Sequence, residues 1–334
     1  MKKILLPLLF TLNSHSVCVH ETTISGAQLL SQITHYQNSK AYYQLEDESF
    51  NELQSISLIE PQRNYLIQQL QAPITKDYND RYIKYYKYER MVEFIKSQRE
   101  QLEQLNYQTQ VIGKSIEGRD LFAITPREID PKKKLILMFA RHHGDEGTAN
   151  WIVEGFLSKA LKDNHFNENF QLILYPMVNP DGANAKRRYN RNNRDLNRSW
   201  GKTPEKSYDE VKVIHKHLDS YLQDNKKPVI ALDMHGSFTE DFIYRVSKSF
   251  NGQDFFETQQ SFIDSLGKRD PWQAGQFYIS NGHRKMSRIL LVRDYGINSL
   301  THESIRDIPL SESRTLKDLF LQGEAVLDSL KELY

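Results

Sequence analysis

The sequence predicts an α/β fold: a single α/β/α domain with a mixed, largely parallel central sheet covered by helices, plus a small N-terminal helical extension. Three observations predict it. Four apolar runs alternate with helical patterns, as expected of strands buried on both faces. Polar clusters stand where those runs end, the place where α/β sheets form sites. The chain has 334 residues, 39% hydrophobic and 26% charged, which suits a soluble globular protein with one large domain and an extension.

The elements follow in order. "MKKILLPLLFTLNSHSVCVHE" has a basic start at Lys2 and Lys3, an apolar run over 4–12 and small residues at Ser14, Ser16 and Cys18. That is the layout of a secretory signal peptide, expected to occupy 1–18, and it predicts a secreted or periplasmic location. The run is too short to span a bilayer. Residues 19–79 are polar, with short helical patterns such as Ala27–Tyr36, and form an extension or pro-segment with no catalytic constellation.

From residue 80 to 334 the pattern becomes regular. Tyr86, Met91, Phe94, Ile95 and Leu102 recur near helical spacing. "YQTQVIG" and "DLFAI" flank the turn residues "KSIEGR", which predicts a hairpin. "KLILMFA", "FQLILYPMV", "PVIALDMHG" and "INSLTHES" read as buried strands. Between and after them, "NWIVEGFLSKALKD", "SYDEVKVIHKHLDSYLQ" and "TLKDLFLQGEAVLDSLKEL" read as helices.

The formal net charge is +1, from 44 basic and 43 acidic residues, so there is no electrostatic footprint for nucleic acid or an anionic membrane. The chemistry lies in the strand-end clusters. The first strand runs into "RHHGDEG", where His142 or His143 could pair with Glu146 on a metal. Asn179-Pro180-Asp181-Gly182 follows the second, His235 ends the third and Glu303 ends the fourth. A catalytic zinc site takes three protein ligands of these types and leaves a position open. "RRYNRNNRDLNRSW" adds Arg187, Arg188, Arg191, Arg194 and Arg198. An arginine beside an asparagine can grip a carboxylate, and a second can stabilise an oxyanion.

In this order the motifs resemble the zinc carboxypeptidase family, the carboxypeptidase A-like or funnelin metallopeptidases. The resemblance covers about residues 80–334. "HGDE" resembles the family's His-x-x-Glu, "NPDG" and "RYNRNNRDLNRSW" its arginine-containing segment, and "LDMHG" and "GINSLTHESIRD" the strands bearing the third ligand and the catalytic glutamate. "IGKSIEGRDLFAI" resembles its opening hairpin. The resemblance implies that His143, Glu146 and His235 bind one zinc ion and that Glu303 is the general base. It implies that Arg188 stabilises the oxyanion and that Asn197 and Arg198 bind the substrate's terminal carboxylate. Asp195 would accept a hydrogen bond from His143, and Arg119 would lie further out along the groove. The expected reaction is hydrolysis of the C-terminal residue of a peptide by a zinc-activated water. The expected partner is a peptide with a free C-terminal carboxylate, without nucleic acid or membrane anchor, on a monomer.

Departures from the pattern are informative. Asn193 replaces a glycine, and asparagine tolerates positive φ better than most residues. Tyr278 is the best candidate for the family's mobile tyrosine, with Tyr244 and Tyr295 as rivals. A side-chain pocket residue is expected between 265 and 297. His215, His217 and His283 read as surface residues, and His302 as core. Two related readings compete with peptide cleavage: removal of acyl groups from amino acids, and trimming of cell-wall peptides. A non-catalytic binding module would have lost a ligand or the base, and neither is lost.

Overall fold

The computed structural model describes residues 86–222, 227–306 and 314–334, which belong to one compact unit. The expected signal peptide at 1–18 and the extension at 19–79 lie outside the described residues. The described residues open with helix α1 (Tyr88–Gln104) and the hairpin β1 (Tyr107–Lys114) and β2 (Asp120–Pro126). Strand β3 (Lys134–Ala140), helix α2 (Thr148–Ala160), strand β4 (Phe170–Tyr175), helix α3 (Asp209–Leu222) and strand β5 (Ile230–Ser237) follow. Next come β6 (Phe242–Arg245), α4 (Gln253–Arg269), β7 (Phe277–Ile279), β8 (Ser299–Ile305) and the C-terminal helix α5 (Leu316–Leu333).

The eight strands form one sheet in the order β1-β2-β4-β3-β5-β8-β6-β7. The central four, β4, β3, β5 and β8, run parallel. They are the four apolar runs of the sequence. Antiparallel pairs join β1 to β2, β2 to β4 and β6 to β8. The sheet is therefore mixed and largely parallel, with helices packed on it. Strand β6 has four residues and β7 three exposed ones, so neither carries a periodic signal that the sequence could show.

On one face, Leu135, Leu137 and Phe139 of β3 join Val211, Ile214 and Leu218 of α3 and Trp200 in a buried cluster. Helix α2 packs across β3, β5 and β8 and also against α5. The two helices come into backbone contact at paired glycines: a Cβ on Gly323 would lie 2.0 Å from the carbonyl oxygen of Ile152, and one on Gly155 2.3 Å from that of Phe320. Thr315 starts α5 with a capping box, its side chain and that of Asp318 each bonding the other's backbone.

The expected surface position of His215 is corrected. Val211, Ile214, His215 and Leu218 follow the i, i+3, i+4, i+7 rule and all are buried. Burial is satisfied because Nδ1 meets Ser207 Oγ at 2.8 Å and Nε2 meets the Tyr295 hydroxyl at 2.7 Å. His217 is half-buried, bonded to Tyr175 and Gln110. His283 lies on the surface and His302 in the core, as read.

The close helix contact yields a test. Gly323→Ala should lower stability by about 1–3 kcal/mol through overpacking, read as a fall in the thermal midpoint. An unchanged midpoint would show that α2 and α5 can separate without cost.

Candidate active site

Parallel pairing brings the strand ends to one edge. His235 on β5 stands in register with Glu303 on β8. Beyond β3 the chain turns through Arg141–Gly147 before α2 begins, and this turn carries His143 and Glu146. After β4, Asn179 caps a short helix, Pro180–Asn184, by accepting from the Gly182 N–H. A single 3-10 turn, Leu196–Arg198, is capped by Asp195 in the same way.

His143, Glu146 and His235 converge and are buried. Nδ1 of His143 lies 2.7 Å from Glu146 Oε1, Nδ1 of His235 lies 2.8 Å from Oε2, and the two Nδ1 atoms are 3.2 Å apart. The far nitrogen of each ring meets another carboxylate: His143 Nε2 is 3.0 Å from Asp195 Oδ1, and His235 Nε2 is 3.0 Å from Asp233 Oδ2. A carboxylate at Nε2 fixes the proton there and leaves Nδ1 to coordinate. Both Nδ1 lone pairs then face Glu146, so this donor set fits a metal ion.

His142 does not belong to it. Its Nδ1 pairs with Asp233 Oδ1 at 2.8 Å, and its Nε2 accepts from Trp200 Nε1 at 3.0 Å. Asp233 and His235 also lie close to His142, but Trp200 takes the lone pair of Nε2 and so leaves the proton on Nδ1, the nitrogen that faces Asp233. The His142 ring stacks on that of His235, with centroids 5.5 Å apart.

Around the three donors lies an open pocket of about 710 Å³. Arg188, Asn197, Arg198, Glu303, Tyr244 and Tyr278 line it together with the metal-ligand candidates. Arg188 donates to Asp195 Oδ2 at 2.9 Å and stands 3.6 Å from Glu146. Arg198 is exposed and donates to the Asn197 carbonyl at 2.8 Å. Asn197 is buried, with Oδ1 accepting from the Ser287 N–H and Nδ2 3.1 Å from His235 Nε2. Because Asp233 holds the proton on that nitrogen, the Asn197 amide gains no acceptor there.

The rest of the arginine run is scaffold. Arg187 bonds its own loop carbonyls, Arg191 pairs with Glu117 and Arg194 with Asp209. Asn193 takes φ +59, the left-handed turn anticipated for it. Arg119, expected further out along the groove, lies in the opening hairpin. It is not among the residues lining the pocket. It pairs with Glu117 and with Asp181 Oδ1 at 2.8 Å, and so braces the Asn-Pro-Asp-Gly turn, where a buried carboxylate requires a cation. Tyr278 stands at the rim, 48% exposed, its hydroxyl donating to Glu240. Tyr244 also lines the pocket, whereas Tyr295 is bound to Asp219 and His215.

Sequence reading missed Asp233 and Arg288. Asp233 had a signal: it is two residues before His235 on a strand, hence on the same face. Arg288 had none. It lies in the short helix Ser287–Leu290, fully buried, and donates to the Ser280 carbonyl, while Nε and Nη2 have no hydrogen-bond partner among the described residues.

Electrostatics follow from this packing. Burial pushes Glu303 up to about 7, Glu146 and Asp233 add to the rise, and the two histidines oppose it. Burial alone would lower His143 and His235, but the carboxylates outweigh it. His143 is raised, and Asp233 and Glu146 hold His235 well above its ordinary value. A raised histidine stabilises the fold fully below its unfolded value, near 6.5, and loses that contribution as pH rises through the folded value. Without metal, the thermal midpoint should therefore fall as pH rises above about 6.5. With zinc it should hold or rise, because the ion takes the place of the protons and binds more tightly as they leave. Calorimetry across pH, with and without a chelator, checks this, and parallel curves would refute it.

A family model for the succinylglutamate desuccinylase/aspartoacylase catalytic domain matches residues 132–262. Cytosolic carboxypeptidase 2 of Mus musculus is 27% identical over 220 residues, 62% of this chain and 25% of that protein. Cytosolic carboxypeptidase 3 of Mus musculus is 25% identical over 188 residues, 52% of this chain and 19% of that one. The chain thus spans a quarter or less of the length of these relatives. The crystal structure of a metallo-carboxypeptidase from Burkholderia cenocepacia shares the fold, with a TM-score of 0.63 and 19% identity, covering 74% of this chain and 69% of that one. The chain thus shares its fold with a solved metallo-carboxypeptidase, and it is similar in sequence to cytosolic carboxypeptidases and to the desuccinylase/aspartoacylase catalytic domain.

Proposed function

We propose that this chain is a zinc-dependent carboxypeptidase that removes the C-terminal residue of peptides, with Glu303 as general base. The observation that carries the reading is one pocket in which His143, Glu146 and His235 converge, with Glu303 and the cations Arg188 and Arg198 lining the same space. When bound, zinc would lower the pKa of water to roughly 7 and polarise the scissile carbonyl. Glu303, near 7 through burial, is matched to take a proton from water and return it to the leaving nitrogen. Arg188 stabilises the charge that develops on the carbonyl oxygen. Arg198, exposed and without a carboxylate partner in the described residues, takes the substrate's terminal carboxylate, and Asn197 fixes the turn that presents it. Such a clamp favours a chain that ends beside the metal.

Arg288 supports a preference among terminal residues. Its guanidinium lies 5.8 Å from the Tyr244 ring, and Tyr244 and Met286 line the pocket. Burial lowers it only to about 10, so it stays charged at neutral pH. Arg288 itself stands behind the pocket lining, so an acidic side chain would have to reach past Tyr244 to meet Nε and Nη2, which have no partner among the described residues. The basic and apolar start of the sequence supports a secreted or periplasmic site of action. A second reading, hydrolysis of an acyl-amino acid, is favoured by the desuccinylase/aspartoacylase match over 132–262.

Peptides with a free C-terminal carboxylate should be cleaved and their amides spared, with mass spectrometry showing loss of single residues. Equal cleavage of both would refute the clamp, and turnover of acyl-amino acids alone would favour the second reading. Glu303→Gln should cut kcat by about 10²–10⁴-fold while zinc still binds. For wild type, kcat/KM should rise with pH through a value at or below 7, since Glu303 must be deprotonated and a bound cation lowers its pKa. A C-terminal glutamate should be preferred to leucine, and Arg288→Met should reverse that order.

A further inference from the structure

Between β3 and the first ligand stands an arginine that the proposed chemistry leaves unused. Arg141 is 1% exposed and takes φ +65, a left-handed conformation unusual for a residue with a side chain. Its guanidinium donates twice to the Gly144 carbonyl, at 2.9 and 2.8 Å. Gly144 lies between the ligand candidates His143 and Glu146. A further bond at 2.9 Å reaches Asn150 Oδ1 in α2, and another at 2.9 Å the Tyr86 carbonyl ahead of α1.

Every one of these acceptors is neutral. Among the described residues no carboxylate pairs with this guanidinium, which makes its burial costly; burial pushes it down to about 10, against the pull of Asp145 and Glu146, and it stays charged at neutral pH. Such an arrangement needs a compensating role, and the geometry identifies one. The Gly144 N–H donates to the Arg188 carbonyl at 3.2 Å, so the peptide units around Gly144 are held from both sides. Asn150 in turn donates to the Pro176 carbonyl at 2.7 Å, just beyond β4. Tyr86 is itself anchored, its hydroxyl on Glu154 at 2.6 Å and its ring edge-on to Trp151.

We infer that Arg141 is a positioning residue for the metal: its fork holds the Gly144 carbonyl so that His143 and Glu146 are set before the ion arrives. The inference rests on the metal reading of His143, Glu146 and His235. It makes the chain just ahead of α1 a strut behind the metal loop, because Tyr86 supplies an acceptor. Lysine at 141 keeps the charge but cannot make the bidentate contact while reaching Asn150 and Tyr86.

The test uses the full chain and zinc itself. Zinc affinity is measured by competition with a chromophoric chelator, ligand geometry by the visible spectrum of the cobalt-substituted protein, and stability by the thermal midpoint of the metal-free protein. Arg141→Lys should bind zinc about 10–100-fold more weakly and alter the cobalt spectrum, as loss of an outer-shell contact does. Tyr86→Phe is the control: it removes the bond to Glu154, lowers stability and keeps the carbonyl, so affinity and spectrum should match wild type. Should Arg141→Lys not fold, Asn150→Ala removes one acceptor and should weaken zinc about fivefold. Wild-type affinity and spectrum in Arg141→Lys, or equal weakening in Tyr86→Phe, would overturn the inference, as would unchanged affinity in Asn150→Ala when that variant is used. A wild-type chain that binds no zinc would overturn the metal reading beneath it.

Discussion

One buried carboxylate governs the site. Glu146 lies between two imidazoles, each of which leans on another acid, giving the sequence Asp195, His143, Glu146, His235, Asp233, His142. Acid and imidazole alternate throughout, so each buried charge has a neighbour of opposite sign. Removing one member strands its partner, a loss of about 3–5 kcal/mol for a buried pair. The array therefore stands or falls as a unit. Its members come from four places in the chain: the end of β3, the 3-10 turn and two positions on β5. The fold must deliver all of them before any is stable.

The sheet makes that delivery, and the loops are braced to match. Asp181 is held by Arg119 and by Ser115, so the opening hairpin steadies the turn that follows β4. Asn190 reaches Asp209 and Glu210 at the start of α3, and the Asn193 turn closes the loop beside it. Most of the arginine-rich run is consumed in such contacts. What remains facing the pocket is Arg188 and Arg198, one tied to an acid of the array and one without an acid partner among the described residues.

The central strands were legible because burial on both faces demands unbroken apolar runs, and Leu135–Ala140 and Ile230–Met234 are such runs. The metal-ligand candidates were legible through strand-end spacing together with family order, although nothing within "RHHGDE" separates His142 from His143. That separation is tertiary: Trp200, 58 residues later, occupies the His142 nitrogen. The tie from Arg119 to Asp181 is tertiary in the same way, since the two lie 62 residues apart. Asp233 was readable from strand alternation beside His235. Arg288 was not, because an arginine in a short helix looks like surface until the surrounding chain buries it.

The register of β5 against β8 carries a further consequence. His235 faces Glu303 because the two strands align residue for residue. Side chains alternate, so a slip of one residue would turn Glu303 to the far side and present His302 in its place. The turn at 295–298, where Gly296 takes φ +61 and Asn298 is buried, therefore sets this alignment, and a change in its length would shift β8 against β5. Insertions and deletions there are the events that divergence within such a lineage must avoid.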